Sequence, residues 1–286
     1  MISGRTKVFA LIGDPVERSL SPAMHNAAFR DLGLDCVYVA LRVTRGLLRE
    51  AVEGAKALGI SGLNVTTPHK IDIVRLLDEL DESASRVGAV NTVKNEDGRL
   101  IGFNTDGQGA IEALRERVGE LGGRKVVLLG AGGAARAIAF SLAEAGVELT
   151  IANRTVSKAR ELAASVERKL GPKVSYVELK KDVLKGVLEN ADILINATSV
   201  GMYPNVDQTP VEADIIHSGL IVNDIVYEPL MTRLLCEAKD VGAQTVNGLE
   251  MLVHQGAASF ELWTGRRAPI DVMRAAVKRV LQEGRK

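Results

Sequence analysis

Residues 125–137, KVVLLGAGGAARA, restrict the fold of this 286-residue chain more than any other stretch. A short apolar run reads as a buried strand. It is closed by Gly130, Ala131, Gly132 and Gly133, after which Ala134 and Ala135 open a helical pattern. Gly130 allows a tight turn, Gly132 lets the backbone approach a phosphate, and Ala135 permits close packing of helix on sheet. Backbone N–H groups around Gly133 and Ala134 then face outward at a helix start, where anions bind. A plain strand-to-helix turn would share this spacing. The strand before it and the helix after it favour the dinucleotide reading.

The alternation continues on the C-terminal side. ELTIANRT, VSYVEL, ADILINATSVG, LIVNDIVY and QTVNG read as strands, with helical stretches between several of them. This is a doubly wound nucleotide-binding pattern. The end of its second strand selects the cofactor. An NAD-binding unit usually has an acid there for the ribose 2′-hydroxyl, but ANRTVSKA has none. Asn153 and Thr155 can donate hydrogen bonds, and Arg154 and Lys158 can meet a 2′-phosphate. A solvated basic helix start is the plainer reading. Cations there oppose the helix dipole, so an anionic ligand explains them better, and NADP is expected.

The first third also alternates. KVFALIG, CVYVALRV and GLNVTT read as strands. Helices are expected over residues 21–33, 47–59 and 71–88, the first with Ser21 as a candidate cap. A mostly parallel sheet follows. Asn95-Glu96-Asp97-Gly98 marks a hairpin. The tail reads as two helices returning to the first domain. The expected fold class is therefore α/β with two domains. A discontinuous substrate domain would span 1–105 plus 248–286, and a nucleotide-binding domain 106–247.

Composition narrows the function classes. The chain has 36 basic and 36 acidic residues, so no dominant positive field favours nucleic acid or anionic membrane. Aromatics are 3%, which disfavours base stacking. Cys36 and Cys236 lie far apart in apolar settings and read as small core residues. His25, His69, His217 and His254 lack zinc-site spacing, so no metal is expected. No charged-then-apolar leader and no spanning apolar run is present, which gives a cytoplasmic expectation.

Seven polar clusters follow strands or turns in order: ERSLSPAMHN, NVTTPHK, GAVNTV, GFNTDGQG, NATSVGM, DIVYEP and EMLVHQGA. Together, over essentially the whole chain, they resemble the shikimate dehydrogenase family. The resemblance implies NADPH-dependent, reversible reduction of 3-dehydroshikimate to shikimate, in a cleft, within aromatic amino-acid biosynthesis. It puts Ser19, Ser21 and Tyr227 on the substrate carboxylate. Asn64, Thr66, Asn91 and Gln255 would bond the ring hydroxyls. For Ser21 a helix cap, and for Asn64 and Asn91 a turn role, are the structural alternatives.

Lys70 and Asp106 are the catalytic candidates. Hydride transfer at a carbinol carbon makes alkoxide character on oxygen, which an ammonium stabilises or protonates. A carboxylate beside the lysine orients it. A structural ion pair is the alternative. Placing Lys70 at the start of the helix expected over 71–88 also sets a cation against the dipole, a misplacement that catalysis would explain. The resemblance further places Thr198, Ser199 and Ile225 at the nicotinamide end. Gly248 would let the backbone approach the cofactor, and Glu82 matches an acidic position near it. His69 suits packing better than acid catalysis.

The nearest alternative is a quinate/shikimate paralogue, against which NRT and SLS speak. A non-catalytic sensor of shikimate or NADP should lack Lys70 or Asp106, and a Rossmann scaffold for a folate does not fit SLSP and NTD. The expected partner is the small-molecule substrate, and a homodimer is possible.

Overall fold

The computed structural model describes residues 2–283. The chain forms two compact units, Met1–Asp106 with Val253–Lys286, and Gly107–Leu252. Asp106 thus falls in the first unit and Gly248 in the second. The expected boundaries at 105/106 and 247/248 ran at the starts of two helices, whereas the division falls inside them.

The first unit opens with β1 (Lys7–Gly13), α1 (Ser21–Asp31), β2 (Cys36–Arg42), α2 (Leu48–Ala57) and β3 (Gly62–Val65). It continues through β4 (Glu79–Leu80), α3 (Glu82–Val87), β5 (Thr92–Glu96) and β6 (Arg99–Phe103). The sheet order is β2-β1-β3-β5-β6-β4. β1 pairs in parallel with β2 and β3, β4 pairs in parallel with β6, and the β5–β6 hairpin is antiparallel. Asp97 and Gly98 turn that hairpin with φ of 51° and 89°, the left-handed pair a tight two-residue turn requires.

Side chains alternate along β1. Ala10 and Ile12 join a core with Val52, Leu63, Val65 and Ile73. Phe9 instead meets Phe29 and Trp263, with ring centroids 5.3 and 5.0 Å away. The antiparallel hairpin matters for function. It brings the start of β5 and the end of β6 to the carboxyl end of β3, because Asn64 faces Thr92 and Thr92 faces Phe103.

The helix expected over 71–88 does not form as one element. A short 3₁₀ turn (Asp72–Leu76) ends in extended Leu77, the two-residue β4 follows, and only then does α3 begin. Helical propensity loses to the sheet edge. The Asp78 carboxylate accepts from Leu100 N at 2.8 Å and Lys56 Nζ at 2.9 Å, and Leu80 pairs with Gly102. Asp81 then caps α3, its carboxylate accepting from Ala84 N at 2.9 Å. Lys70 consequently stands in a turn, not at an α-helix start. The dipole misplacement read from the sequence disappears.

The second unit follows α4 (Asp106–Val118) with β7 (Lys125–Leu129), α5 (Gly133–Glu144), β8 (Glu148–Asn153), α6 (Val156–Leu170) and β9 (Ser175–Glu178). Next come α7 (Lys181–Leu188), β10 (Ile193–Asn196), β11 (Ile221–Asp224), α8 (Arg233–Asp240) and β12 (Gln244–Val246). All its strands are parallel, in the order β12-β11-β10-β7-β8-β9. This is the Rossmann order, with its switch point between β7 and β10. Val127, Leu129, Leu194 and Val222 build one face of its core.

The chain ends with α9 (Gly248–Thr264) and α10 (Ile270–Glu283). Among the described residues no helix is long and apolar enough to cross a membrane. Both cysteines are free. Cys236 is exposed on α8, contrary to the expected core position, because its helix turns Leu234, Leu235 and Ala238 inward.

Candidate active site

In the first unit the polar clusters converge at the carboxyl end of β3. Lys70 Nζ donates to Asp106 Oδ2 at 2.5 Å, with side chains 17% and 5% exposed. Asn91 Nδ2 donates to the other oxygen, Oδ1, at 2.9 Å. Asp106 is held at the start of α4, where Asn104 Oδ1 accepts its N–H at 3.1 Å. Lys70 is held from behind, since its carbonyl accepts from Val90 N at 2.8 Å. A cation and a carboxylate are therefore fixed side by side at a strand end, little exposed to water. Such an arrangement can stabilise a developing alkoxide without reorganising.

Asn91 is oriented by its neighbours. Its Oδ1 accepts from Thr105 N at 2.8 Å, and a backbone N–H can only donate. Nδ2 must then face Thr105 Oγ1, Asp106 and Gln255 Oε1, at 2.9, 2.9 and 3.2 Å. Asn64 is similarly occupied, donating to Asn91 O, Thr92 Oγ1 and Ser259 Oγ at 3.1, 3.2 and 3.1 Å. Asn64 lies within β3 and both amides bond groups distant in the chain, so the turn role weighed for them gives way to a place in the polar cluster.

Other candidates keep free valence. Thr66 is half-buried, and its hydroxyl makes no hydrogen bond among the described residues. Ser21 is buried and likewise has no partner for its hydroxyl among them. It does not cap α1, whose cap residue is Leu20 with no side-chain hydrogen bond. Ser21 is instead the first helical residue, and its N–H donates to Ser19 Oγ at 3.3 Å. His69 packs, with no exposure and Nε2 2.7 Å from the Val43 carbonyl.

The sequence reading did not single out Thr92, Asn104, Thr105 or Ser259. The first three lay inside quoted clusters. Ser259 had only its spacing, four residues after Gln255 on one helix face.

In the second unit the loops after β7 and β10 flank the switch point, where ligands bind in such sheets. Gly130 has φ of +113°, and a Cβ there would lie 2.9 Å from the Ala197 carbonyl. The fold itself demands that glycine. A Cβ on Gly132 would meet nothing within 4 Å. Space is therefore left on the outer side of the turn. No side chain caps the following helix α5, which leaves its first N–H groups, from Gly133 and Ala134, available to an anion. These features fit a pyrophosphate.

At the end of β8, Arg154 and Lys158 are exposed and form no ion pair among the described residues. The first turn of α6 contains no acid. Asn153 Nδ2 donates to the Thr155 carbonyl at 3.0 Å, which closes the turn that presents them. The donor set fits a phosphate ester at this end.

After β10, Thr198 is tied down by Asn196 Oδ1, which accepts from its N–H at 3.0 Å and its hydroxyl at 2.7 Å. Ser199 is exposed beside it. Asn196 in turn donates to Asp224 Oδ1 at 3.0 Å, while Thr232 donates to Asp224 Oδ2 at 2.7 Å. Burial pushes the Asp224 carboxyl up to about 6, against the pull of its hydrogen bonds from Thr232, Val226 and Asn196. Ile225 and Tyr227 follow, both half-buried.

Gly248 and Glu82 each have a structural setting of their own. A Cβ on Gly248 would lie 2.3 Å from the Ile225 carbonyl, so this chain's own backbone already requires that glycine. Glu82 is a largely exposed first-turn residue of α3, paired with Arg86 four residues on. Its geometry is that of a solvated helix face.

Comparison with known proteins spans nearly all of the chain. Residues 11–93 match the shikimate dehydrogenase substrate binding domain. Residues 112–225 match the shikimate / quinate 5-dehydrogenase family, and 248–278 the shikimate 5′-dehydrogenase C-terminal domain. A shikimate dehydrogenase (NADP(+)) of Methanopyrus kandleri is 54% identical over 279 residues, 96% of each chain. One from Methanocaldococcus jannaschii is 52% identical, covering 97% of this chain and 98% of its own. A crystal structure of a shikimate dehydrogenase in complex with NADP+ aligns with TM-score 0.93 and 51% identity over 98% of both chains. The Thermus thermophilus enzyme in complex with NADP(H) and shikimate aligns at TM-score 0.87 and 40% identity, over 96% of this chain and all of that one.

Proposed function

The chain belongs to the shikimate dehydrogenase family, and from that premise we propose how its own residues serve the reversible reduction of 3-dehydroshikimate to shikimate. It is an oxidoreductase acting on a CH–OH group, and its cofactor is NADP. When bound, the cofactor supplies or takes up the hydride.

The observation that carries the reading is the Lys70–Asp106 pair at 2.5 Å, with Asn91 on the second carboxylate oxygen. Lys70 stabilises negative charge on the substrate oxygen and stands as the proton donor for carbonyl reduction. Asp106 holds the ammonium in place and accepts from a neighbouring substrate hydroxyl. Thr66, Asn64, Asn91 and Gln255 bond the ring hydroxyls. Ser19, Ser21 and Tyr227 take the carboxylate; the unpartnered Ser21 hydroxyl supports this assignment. Neutral donors suffice for an anion when water is excluded.

Residues around Gly130, Ala131, Gly132, Gly133 and Ala134 hold the pyrophosphate. Asn153, Arg154, Thr155 and Lys158 hold the 2′-phosphate, and Thr198, Ser199 and Ile225 stand at the nicotinamide end. The reading includes a substrate domain and a cofactor domain, a cytoplasmic location and a possible homodimer; light scattering measures the last.

The test is NADPH oxidation with 3-dehydroshikimate, run beside NADH and with quinate in the reverse direction. Turnover with a clear preference for NADPH and for shikimate over quinate is expected. A preference for NADH would overturn the assignment of Arg154 and Lys158.

A further inference from the structure

The hydrogen-bonding capacity of Asn64 is almost wholly consumed within the protein, and what remains identifies what it can read. The Asn91 carbonyl can only accept, so Nδ2 of Asn64 must face it, at 3.1 Å. The same nitrogen meets Thr92 Oγ1 at 3.2 Å and Ser259 Oγ at 3.1 Å. Two N–H bonds are thus shared among three acceptors. Oδ1 then points to Tyr38, whose hydroxyl donates to it at 2.7 Å. The His25 side chain lies beside the same amide and interacts with it, but neither ring nitrogen makes a hydrogen bond among the described residues, so one lone pair on Oδ1 is the capacity left.

Tyr38 is built for this task. It lies on β2, outside every polar cluster, and is 1% exposed. Its backbone N–H donates to Asn26 Oδ1 at 2.9 Å, and its carbonyl accepts from Asn26 Nδ2 at 2.8 Å. Its ring stacks on His25, with centroids 4.5 Å apart and planes 16° apart. Burial pushes His25 down to about 3, so the stacked ring is neutral. Ser259 closes the other side. It is fully buried on α9, its hydroxyl 2.7 Å from Thr92 Oγ1 and 3.0 Å from the Gln255 carbonyl.

We propose that Tyr38 and Ser259 are positioning residues that lock the Asn64 amide, leaving one oxygen lone pair to receive a hydroxyl donor of the substrate. The proposal rests on the reading that Asn64 contacts the substrate. It makes Asn64 an acceptor only, a role that favours a hydroxyl over a carbonyl at the position it faces. Without the Tyr38 hydroxyl the amide is held on its nitrogen side alone, Oδ1 carries two open lone pairs, and the site loses that selectivity.

Steady-state shikimate oxidation tests this in Tyr38→Phe, Ser259→Ala, Asn64→Ala and the double variant Tyr38→Phe/Asn64→Ala, with thermal unfolding recorded for each. In Tyr38→Phe the KM for shikimate should rise about tenfold, the effect of losing roughly one hydrogen bond. The KM for NADP should not move, and kcat should change by less than about threefold. Ser259→Ala should give the same pattern, and the double variant should be no worse than Asn64→Ala alone. Additive effects in the double variant would overturn the proposal, as would equal changes in kcat and both KM values. A raised KM in Asn64→Ala with an unchanged one in both Tyr38→Phe and Ser259→Ala would overturn it while leaving the substrate role of Asn64 standing. An unchanged KM in Asn64→Ala would overturn both.

Discussion

The polar groups at the carboxyl end of β3 and the cations at the end of β8 are opposite solutions to binding a polar ligand. In the first region Lys70, Asp106, Asn91 and Asn64 are little exposed and already bonded to one another, with Lys70 to Asp106 at 2.5 Å and Asn91 to Asp106 at 2.9 Å. In the second, Arg154 and Lys158 are exposed and have no ion pair among the described residues. The first region was organised by folding, so little further ordering is needed when charge develops. The second stays hydrated, so its contribution to holding an anion depends on ionic strength. Under the proposed assignment, chemistry and cofactor choice fall on differently prepared parts of the chain.

Predictions can break or sharpen that contrast. The largest effect belongs to Asp106→Ala, which leaves the Lys70 ammonium without its carboxylate and removes one of the three acceptors of Asn91 Nδ2. Its kcat should fall by about 10²- to 10⁴-fold in steady-state assays. A loss confined to KM would mean that folding had prepared a binding group only. Arg154→Ala comes next. The KM for NADPH should rise about 10- to 100-fold, as expected for a lost charge-assisted bond, with kcat nearly unchanged and the preference over NADH reduced. The unaltered KM for NADPH should also rise with added salt, while the KM for shikimate stays nearly flat.

Asp224 extends the contrast to pH. Its carboxyl is raised from an ordinary 3.8 to about 6 by burial. The folded chain therefore holds that proton more tightly than the unfolded chain does. Its stabilising contribution is complete below the unfolded value and is lost as pH rises through about 6, a difference of up to roughly 3 kcal/mol. Denaturant unfolding of the unaltered chain and Asp224→Asn between pH 4 and 7 should show the unaltered chain losing stability relative to the variant as pH rises. Parallel curves would contradict it. The smallest effect is Glu82→Ala. Its exposed pair with Arg86 should be worth less than about 1 kcal/mol, and the KM for NADPH should stay within about twofold.

How much of this was legible in the sequence follows the same divide. The turn at Gly130 and the parallel second sheet were readable because strand, glycine turn and helix are adjacent in the chain. Arg154 and Lys158 were readable from the absence of an acid beside them. The break in the helix expected over 71–88 was not. Its cause is Leu80 pairing with Gly102 and Asp78 accepting from Leu100, contacts made across more than twenty residues. The packing that requires Gly248 was hidden for a related reason, since the Ile225 carbonyl beside it is invisible locally. Tyr38 left no local signal at all. A tyrosine in an apolar strand reads as core, and only the fold brings its hydroxyl to Asn64.

The central claim is that a lysine fixed by a carboxylate during folding performs the chemistry on the substrate oxygen. Its most direct measurement is turnover of 3-dehydroshikimate with saturating NADPH by Lys70→Ala, beside calorimetric binding of shikimate to the same variant. The account predicts a fall in kcat of at least about 10²-fold, with shikimate bound no more than about tenfold more weakly. Turnover nearly intact, with affinity unchanged, would contradict it and remove Lys70 from the mechanism.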